Sequence, residues 1–141
     1  MSRHYKFIDH TADIAVKLSG DSLEELFIAG SKAWHNAVSD DTVSDANDSV
    51  EVDLSANSKE ELLVEFLNEL NFLFATRKWL CLKIASIKII EDDNCELSAE
   101  LNGIKVQDDF PHKKEIKSVT YHQMEIVKKE GKYSTLVVFD I

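Results

Sequence analysis

The chain has 141 residues, the usual length of one domain, and its 44% hydrophobic and 30% charged residues are typical of a globular protein. Its 26 acidic and 16 basic residues give a formal net charge of −10, which disfavours stable direct binding to nucleic acid because Lys and Arg bind the phosphate backbone. An acidic surface suits a basic protein partner or a cation, although acidity also keeps many proteins soluble. There is no run near the ~20 apolar residues of a membrane span and no signal-peptide core, so we expect a cytoplasmic protein without membrane association.

The first half of the chain predicts two strands, a helix, a strand and a second helix. Residues 4–9 and 14–20 alternate apolar and polar side chains, as in strands with one buried face, and residues 10–13 interrupt them. Ser22 and Glu25 form a capping box that begins a helix over about 22–38. The acidic stretch 40–49 predicts a loop, and it lacks the glycine and glutamate that a calcium-binding loop needs.

A strand over 49–55 precedes the strongest helical pattern, in the stretch 58–79, which begins with a second capping box. Its apolar residues recur at helical spacing, whereas Glu61, Glu65 and Glu69 lie along the opposite face. These like charges repel each other, and no lysine relieves the stripe. It is either a solvated face or an interface for a basic partner.

The second half of the chain is dominated by strand patterns, at 82–90, 95–103, 115–127 and 132–141. The sequence KKEG at 128–131 predicts a hairpin that pairs the last two strands. Cys81 and Cys95 have thirteen residues between them, without the spacing of a zinc site, and are expected to be buried free thiols. We therefore predict a single α+β domain over 1–141, with two amphipathic helices packed on a largely antiparallel or mixed sheet.

The last strand ends in an acidic residue that requires an explanation. Asp140 follows the apolar run TLVVF, and a carboxylate at the end of a buried strand is costly unless it is paired, hydrogen-bonded or bound to a cation. With the carboxylate of Ile141 it would form a cluster of oxygen ligands such as calcium or magnesium prefers. Asp13 would be a third ligand if the first and last strands were neighbours. Each aspartate could equally be a turn residue or a surface charge.

Three further residues are candidates for a site. In a regular strand over 115–127, Lys117 and His122 point to opposite faces and would not act together. A zinc site formed by His10, His122 and a carboxylate is conceivable, but a lone histidine in a strand is more often structural. Motifs of nucleotide-binding proteins, serine hydrolases and zinc proteases are missing from the sequence.

Four stretches of the chain, in this order, resemble the archease family. The opening FIDHTADIAVKLSGDSLEELFIAGSKAW contains the HTAD string of the family and the helix that follows it. ELLVEFLNELNFLF is similar to the second helix, IKSVTYH to a KAVTYH-like strand with Ser118 in place of alanine, and VVFDI to the closing acidic dipeptide. The resemblance covers nearly the whole chain.

The resemblance implies a protein that is not itself an enzyme but activates an RtcB-type RNA ligase, promoting its guanylylation and repeated turnover in tRNA splicing and RNA repair. It implies a divalent metal, most often calcium, with magnesium or manganese as alternatives, at Asp13, Asp140 and Ile141. It also implies a functional role for Lys117, whereas His10 and His122 would at most support the site. A second implied partner is an RNA methyltransferase, served by a chaperone or specificity-modulating role through the stripe around Glu65.

Overall fold

The computed structural model describes residues 3–8, 13–39, 45–111, 113–120 and 124–141. Two helices and eight strands occur in these ranges. The helices are α1, Leu23–Val38, and α2, Lys59–Arg77. The strands are β1 Arg3–Ile8, β2 Asp13–Gly20, β3 Asp48–Ala56, β4 Trp79–Glu91, β5 Cys95–Lys105, β6 Ser118–Thr120, β7 Val127–Lys129 and β8 Lys132–Asp140.

Both helices begin where the capping boxes predict. The Ser22 and Ser58 hydroxyls accept hydrogen bonds of 3.1 Å from the backbone N–H groups of Glu25 and Glu61, respectively. These bonds satisfy N–H groups that the first turn of a helix leaves without intrahelical partners. The local signals in the sequence therefore fixed both helix starts correctly.

The strands form two antiparallel sheets. The first has the order β1–β2–β8–β6, with β7 also paired to β8, and the second has the order β3–β5–β4. Every pairing between described strands is antiparallel. The α+β class and the antiparallel character are thus confirmed, while the division into two sheets has no counterpart in the sequence prediction.

The predicted continuous strand over 115–127 is wrong. Among the described residues in and beside this stretch, only Ser118–Thr120 and Val127–Lys129 pair with β8. Backbone groups beside these strands bond to side chains of α2 instead of a neighbouring strand: the carbonyl of Ile116 accepts from Asn71, and the N–H of Ile126 donates to Glu60. The helix therefore competes with the sheet for this segment.

The predicted hairpin between the last two strands is confirmed. Lys129 and Lys132 are paired across it, so the turn itself contains two residues, Glu130 and Gly131. Both have positive φ angles, 54° and 78°, as a type I′ turn requires. Glycine adopts this conformation without strain, and Glu130 adopts it as one of two non-glycine residues with positive φ in the described ranges.

The core is a continuous cluster of side chains from both helices and both sheets. Its largest fully buried members include Trp34, Phe27, Phe66 and Phe139. Both cysteines are buried free thiols, as predicted, and burial raises the pKa of Cys81 to about 12. In the part of the chain that the structure describes, neither helix is long and apolar enough to cross a membrane.

Replacing Gly103 by alanine should destabilise the second sheet. A Cβ atom at this position of β5 would overlap the carbonyl oxygen of Leu80 and lie 2.8 Å from the ring of Trp79. Overpacking of this kind typically costs about 1–3 kcal/mol of unfolding free energy. Urea unfolding of Gly103→Ala measures the cost. Gly131→Ser is a comparison variant in which the new side chain meets open space, so that any cost comes from the positive φ of 78° and not from a clash. An unchanged unfolding midpoint for Gly103→Ala would contradict the packing described here.

Candidate metal and partner site

The pairing of β2 with β8 brings together the two aspartates that the sequence placed at opposite ends of the chain. Asp13, the first residue of β2, lies directly opposite Asp140, the last residue of β8. Directly opposite residues of an antiparallel pair project from the same face of the sheet. The condition set by the sequence, that the strands carrying these residues be neighbours, is therefore met.

The third strand in this row is β6. Ser118 is also opposite Asp140, so Asp13, Asp140 and Ser118 form a line of oxygen-bearing side chains across β2, β8 and β6. The Ser118 hydroxyl donates a 3.3 Å hydrogen bond to Oδ2 of Asp140. Ser118, which stands in place of alanine in the KAVTYH-like stretch, thus contacts the carboxylate of Asp140, the middle residue of the line.

The electrostatics of the line favour a cation. Like charges directly opposite each other in a sheet are destabilising. Both aspartates are only partly exposed, and Oδ1 of Asp13 is shielded from solvent. A cation held between the carboxylates would offset their repulsion.

Lys117 lies beside this line of Asp13, Asp140 and Ser118, and these four residues with Ile141 are called the corner of the sheet below. The backbone N–H of Lys117 donates a 2.8 Å hydrogen bond to the carbonyl oxygen of Asp140, and its side chain is exposed. The structure therefore brings together Asp13, Asp140 and Lys117, three of the residues predicted for function. Ile141 follows Asp140 directly and packs, half-buried, against the core.

The histidine candidates cannot be placed in this arrangement, since His10 and His122 lie outside the described residues. Within the ranges that are described, groups of three or more His, Cys, Asp or Glu side chains suited to a metal ion do not occur. The corner contributes two such side chains, Asp13 and Asp140. Among the described residues, Ile141 and Ser118 offer further ligands, a main-chain oxygen and a hydroxyl oxygen.

The donors at the corner fit a hard cation. Carboxylates, main-chain oxygens and hydroxyls are the ligands that calcium and magnesium accept, and nitrogen or sulfur ligands are not needed. The facing carboxylates and the shielded oxygen of Asp13 are the observations that support this fit.

Two functional candidates escaped the sequence reasoning, Asn68 and Asn71 of α2. The Asn68 carboxamide bonds to both backbone groups of Val119, and that of Asn71 bonds to the carbonyl of Ile116. The available signal was a pair of polar residues, three apart, in a helix whose buried residues include Phe66, Leu67 and Leu70. Their partners, however, lie more than forty residues further along the chain.

The sequence and the fold of the chain are similar to those of a known protein family. The model of the Archease protein family (MTH1598/TM1083) matches residues 5–141. Protein archease of Archaeoglobus fulgidus is 34% identical over 137 residues, which cover 97% of this chain and 98% of the relative. The solution structure of Methanobacterium thermoautotrophicum protein 1598 has a TM-score of 0.84 at 29% identity and covers 97% of this chain and 98% of its own.

A second solved structure comes from Thermotoga maritima and is described as an archease and possible chaperone; its TM-score is 0.65 at 26% identity, with 96% of both chains covered. Two antiparallel sheets, two helices and a carboxylate pair where β2 meets β8 define a small α+β protein with its candidate site at a strand end. The chain belongs to the archease family.

Proposed function

We propose that the protein is a cytoplasmic, metal-binding accessory factor that activates an RtcB-type RNA ligase by promoting its guanylylation and repeated turnover. The observation that carries this proposal is the register of β2 and β8, which places Asp13 opposite Asp140 beside Lys117. The ligands would be the Asp13 and Asp140 carboxylates and an oxygen of Ile141, with calcium preferred and magnesium or manganese as alternatives. Membership of the archease family supports the choice of partner.

The chemistry of the corner suits a partner that handles phosphate. A bound divalent cation would supply a concentrated positive charge that attracts phosphate oxygens. Lys117, whose backbone bonds to Asp140, has an exposed side chain that adds a second positive charge to this part of the surface. The rest of the protein is acidic, with a formal net charge of −10, and is therefore attracted to a basic, RNA-binding surface.

Guanylylation of the ligase joins a histidine nitrogen to the α-phosphate of GTP and releases pyrophosphate. Negative charge shifts to the leaving group in this step, and preorganised positive charge stabilises it. In the proposed complex Lys117 holds its ammonium near the phosphates, while Asp13 and Asp140 keep the cation in place. The accessory protein is not consumed and carries no covalent intermediate.

The test is the rate at which the cognate ligase becomes guanylylated. We expect Asp13→Ala and Asp140→Ala to reduce the activation at least tenfold, in the range seen when one electrostatic catalytic contact is removed. Both variants must first be shown to be folded by circular dichroism. Activation at the wild-type rate by either folded variant would show that the carboxylate pair is not used.

Glu65→Gln is the matched control for loss of one negative charge. Glu65 is exposed on α2, outside the corner, so its replacement should leave activation unchanged. If Glu65→Gln instead weakened binding to a methyltransferase while Asp13→Ala did not, the alternative role at the α2 stripe would be favoured. Glu61 and Glu69 of that stripe are only partly exposed, which makes it a smaller surface than the sequence suggested.

A further inference from the structure

The segment that carries Lys117 is held from two sides. On one side, β6 pairs with β8, and the N–H of Lys117 bonds to the carbonyl of Asp140. On the other side, the contacts come from side chains of α2 rather than from a strand. The backbone of residues 116–119 thus lies between a sheet and a helix.

Asn68 makes the first contact from α2. Its Oδ1 accepts a 2.7 Å hydrogen bond from the N–H of Val119, and its Nδ2 donates a 2.9 Å hydrogen bond to the carbonyl of the same residue. One carboxamide therefore satisfies both backbone groups of a residue in the middle of β6. A neighbouring strand would normally make these bonds, and a buried strand that lost them would have two unsatisfied polar groups.

Asn71 makes the second contact. Its Nδ2 donates a 2.7 Å hydrogen bond to the carbonyl of Ile116, and its Oδ1 accepts a 3.0 Å hydrogen bond from Nε1 of Trp34. An indole N–H can only donate, so the Trp34 bond directs the amide oxygen toward α1 and the amide NH2 group toward Ile116. Asn71 is 7% exposed, and Trp34 is fully buried. The orientation of this contact is therefore set inside the core.

The two asparagines have the same spacing along the chain as the residues to which they bond. Asn68 and Asn71 are three residues apart and lie on the same face of α2. Their partners, Val119 and Ile116, are also three apart and lie on either side of Lys117. Lys117 itself has an exposed side chain, which gains a defined position only if its backbone is fixed.

We propose that Asn68 and Asn71 are positioning residues, which hold the 116–119 backbone so that Lys117 and the Asp13–Asp140 pair face the partner as one rigid unit. The expected effect on ligase activation rests on the proposed function, whereas the fixing of the 116–119 backbone by the two asparagines does not. Neither asparagine touches the partner or the cation. They act through the backbone of the segment that does.

Asn68→Ala is the variant that tests the inference, because Asn68 is only partly buried and its loss should leave the core intact. The first measurement is hydrogen exchange at the Lys117 amide, whose own acceptor is Asp140 and not Asn68. We expect exchange to become roughly tenfold faster, since two backbone hydrogen bonds of the segment are lost. Exchange at the wild-type rate would overturn the inference.

The second measurement is guanylylation of the ligase with Asn68→Ala, Lys117→Ala and the double variant. If Asn68 acts through Lys117, Asn68→Ala should lose most of the activation that depends on Lys117, and the double variant should be no worse than Lys117→Ala alone. Losses that multiply, or unchanged activation despite faster exchange, would overturn the positioning role.

Thr135→Ala is the matched control. It removes the 2.9 Å hydrogen bond that the hydroxyl of Thr135, in β8 of the same sheet, donates to the backbone carbonyl of Glu125, away from residues 116–119. Thr135→Ala should leave both Lys117 exchange and activation unchanged. If Asn68 only contributed to general stability, Asn68→Ala and Thr135→Ala would change exchange and activation alike. If wild-type protein fails to activate the ligase, the proposed function is wrong, and the exchange measurement still decides whether α2 fixes the Lys117 segment.

Discussion

Calcium should raise the melting temperature of the wild-type protein and leave that of Asp13→Asn unchanged. A ligand that binds only the folded state at one hundred times its dissociation constant adds about 2.7 kcal/mol to the unfolding free energy. For a domain of this size the corresponding shift in Tm is roughly 6–12 °C. Differential scanning calorimetry with and without calcium measures the shift.

Removing calcium should change how Asp13→Asn compares in stability with the wild type. Asp13 faces Asp140 across β2 and β8, so replacing one carboxylate with a neutral amide removes a like-charge contact. Without a cation, the loss of this repulsion favours Asp13→Asn, so its stability relative to the wild type should be higher than it is with calcium. A stability difference that depends on calcium would be specific to a cation site, since loss of an ordinary structural residue destabilises equally in both conditions.

Glu51→Gln is the matched control, because Glu51 and Glu100 form another directly opposed carboxylate pair, between β3 and β5. Both are exposed and lie in the second sheet. This variant should keep the full calcium response of the wild type. An equal calcium shift in Asp13→Asn and wild type, or no shift in either, would rule out a calcium site at Asp13.

The parts of the fold that sequence reasoning predicted are those determined by local chemistry. The helix starts depend on Ser22 and Ser58, whose hydroxyls bond three residues along the chain, and these contacts can be recognised from spacing alone. The final hairpin depends on Gly131, which allows the positive φ of the turn. The class of fold followed from the order of these elements.

The site was only partly predictable. Composition and strand patterns suggested that Asp140 needed a partner, but no spacing rule connects Asp13 with Asp140. Asp13 was a candidate only if the first and last strands were neighbours, and the family resemblance implied the same residue. The register of β2 and β8 then confirmed that the two residues are opposite each other. Metal binding itself stays a prediction until calcium is added.

The interrupted strand shows why the remainder could not be predicted. The alternating pattern over 115–127 is compatible with one long strand, and its backbone groups carry no sequence signal of their own. Glu60, Asn68 and Asn71 of α2 bond to four of those groups from more than forty residues away. Contacts between a side chain and a distant backbone group depend on tertiary packing, which local propensity does not encode.

Truncation of Trp34 should have the largest effect on stability, because this residue joins the core to the Lys117 segment. Trp34 is fully buried, its ring meets that of Phe74 edge-on with centroids 5.9 Å apart, and its Nε1 bonds to Asn71. Trp34→Ala is expected to cost about 3–5 kcal/mol, a large part of the 5–15 kcal/mol that stabilises a typical domain. Urea unfolding measures this loss of unfolding free energy, and an unchanged m-value shows that the loss is one of stability.

Trp34→Phe separates the two contributions of the indole. Phenylalanine retains most of the apolar volume but cannot donate to Asn71, so the expected cost is about 1–3 kcal/mol, the penalty for one unsatisfied buried polar group. Phe72→Ala, at a position that is 44% exposed, should change stability by no more than about 0.5 kcal/mol. If Trp34→Phe also accelerates exchange at the Lys117 amide, the orientation of Asn71 is set by the indole. If Trp34→Phe lowers stability without faster exchange at the Lys117 amide, Trp34 contributes only to the core, and Asn71 bonds to Ile116 independently of the indole.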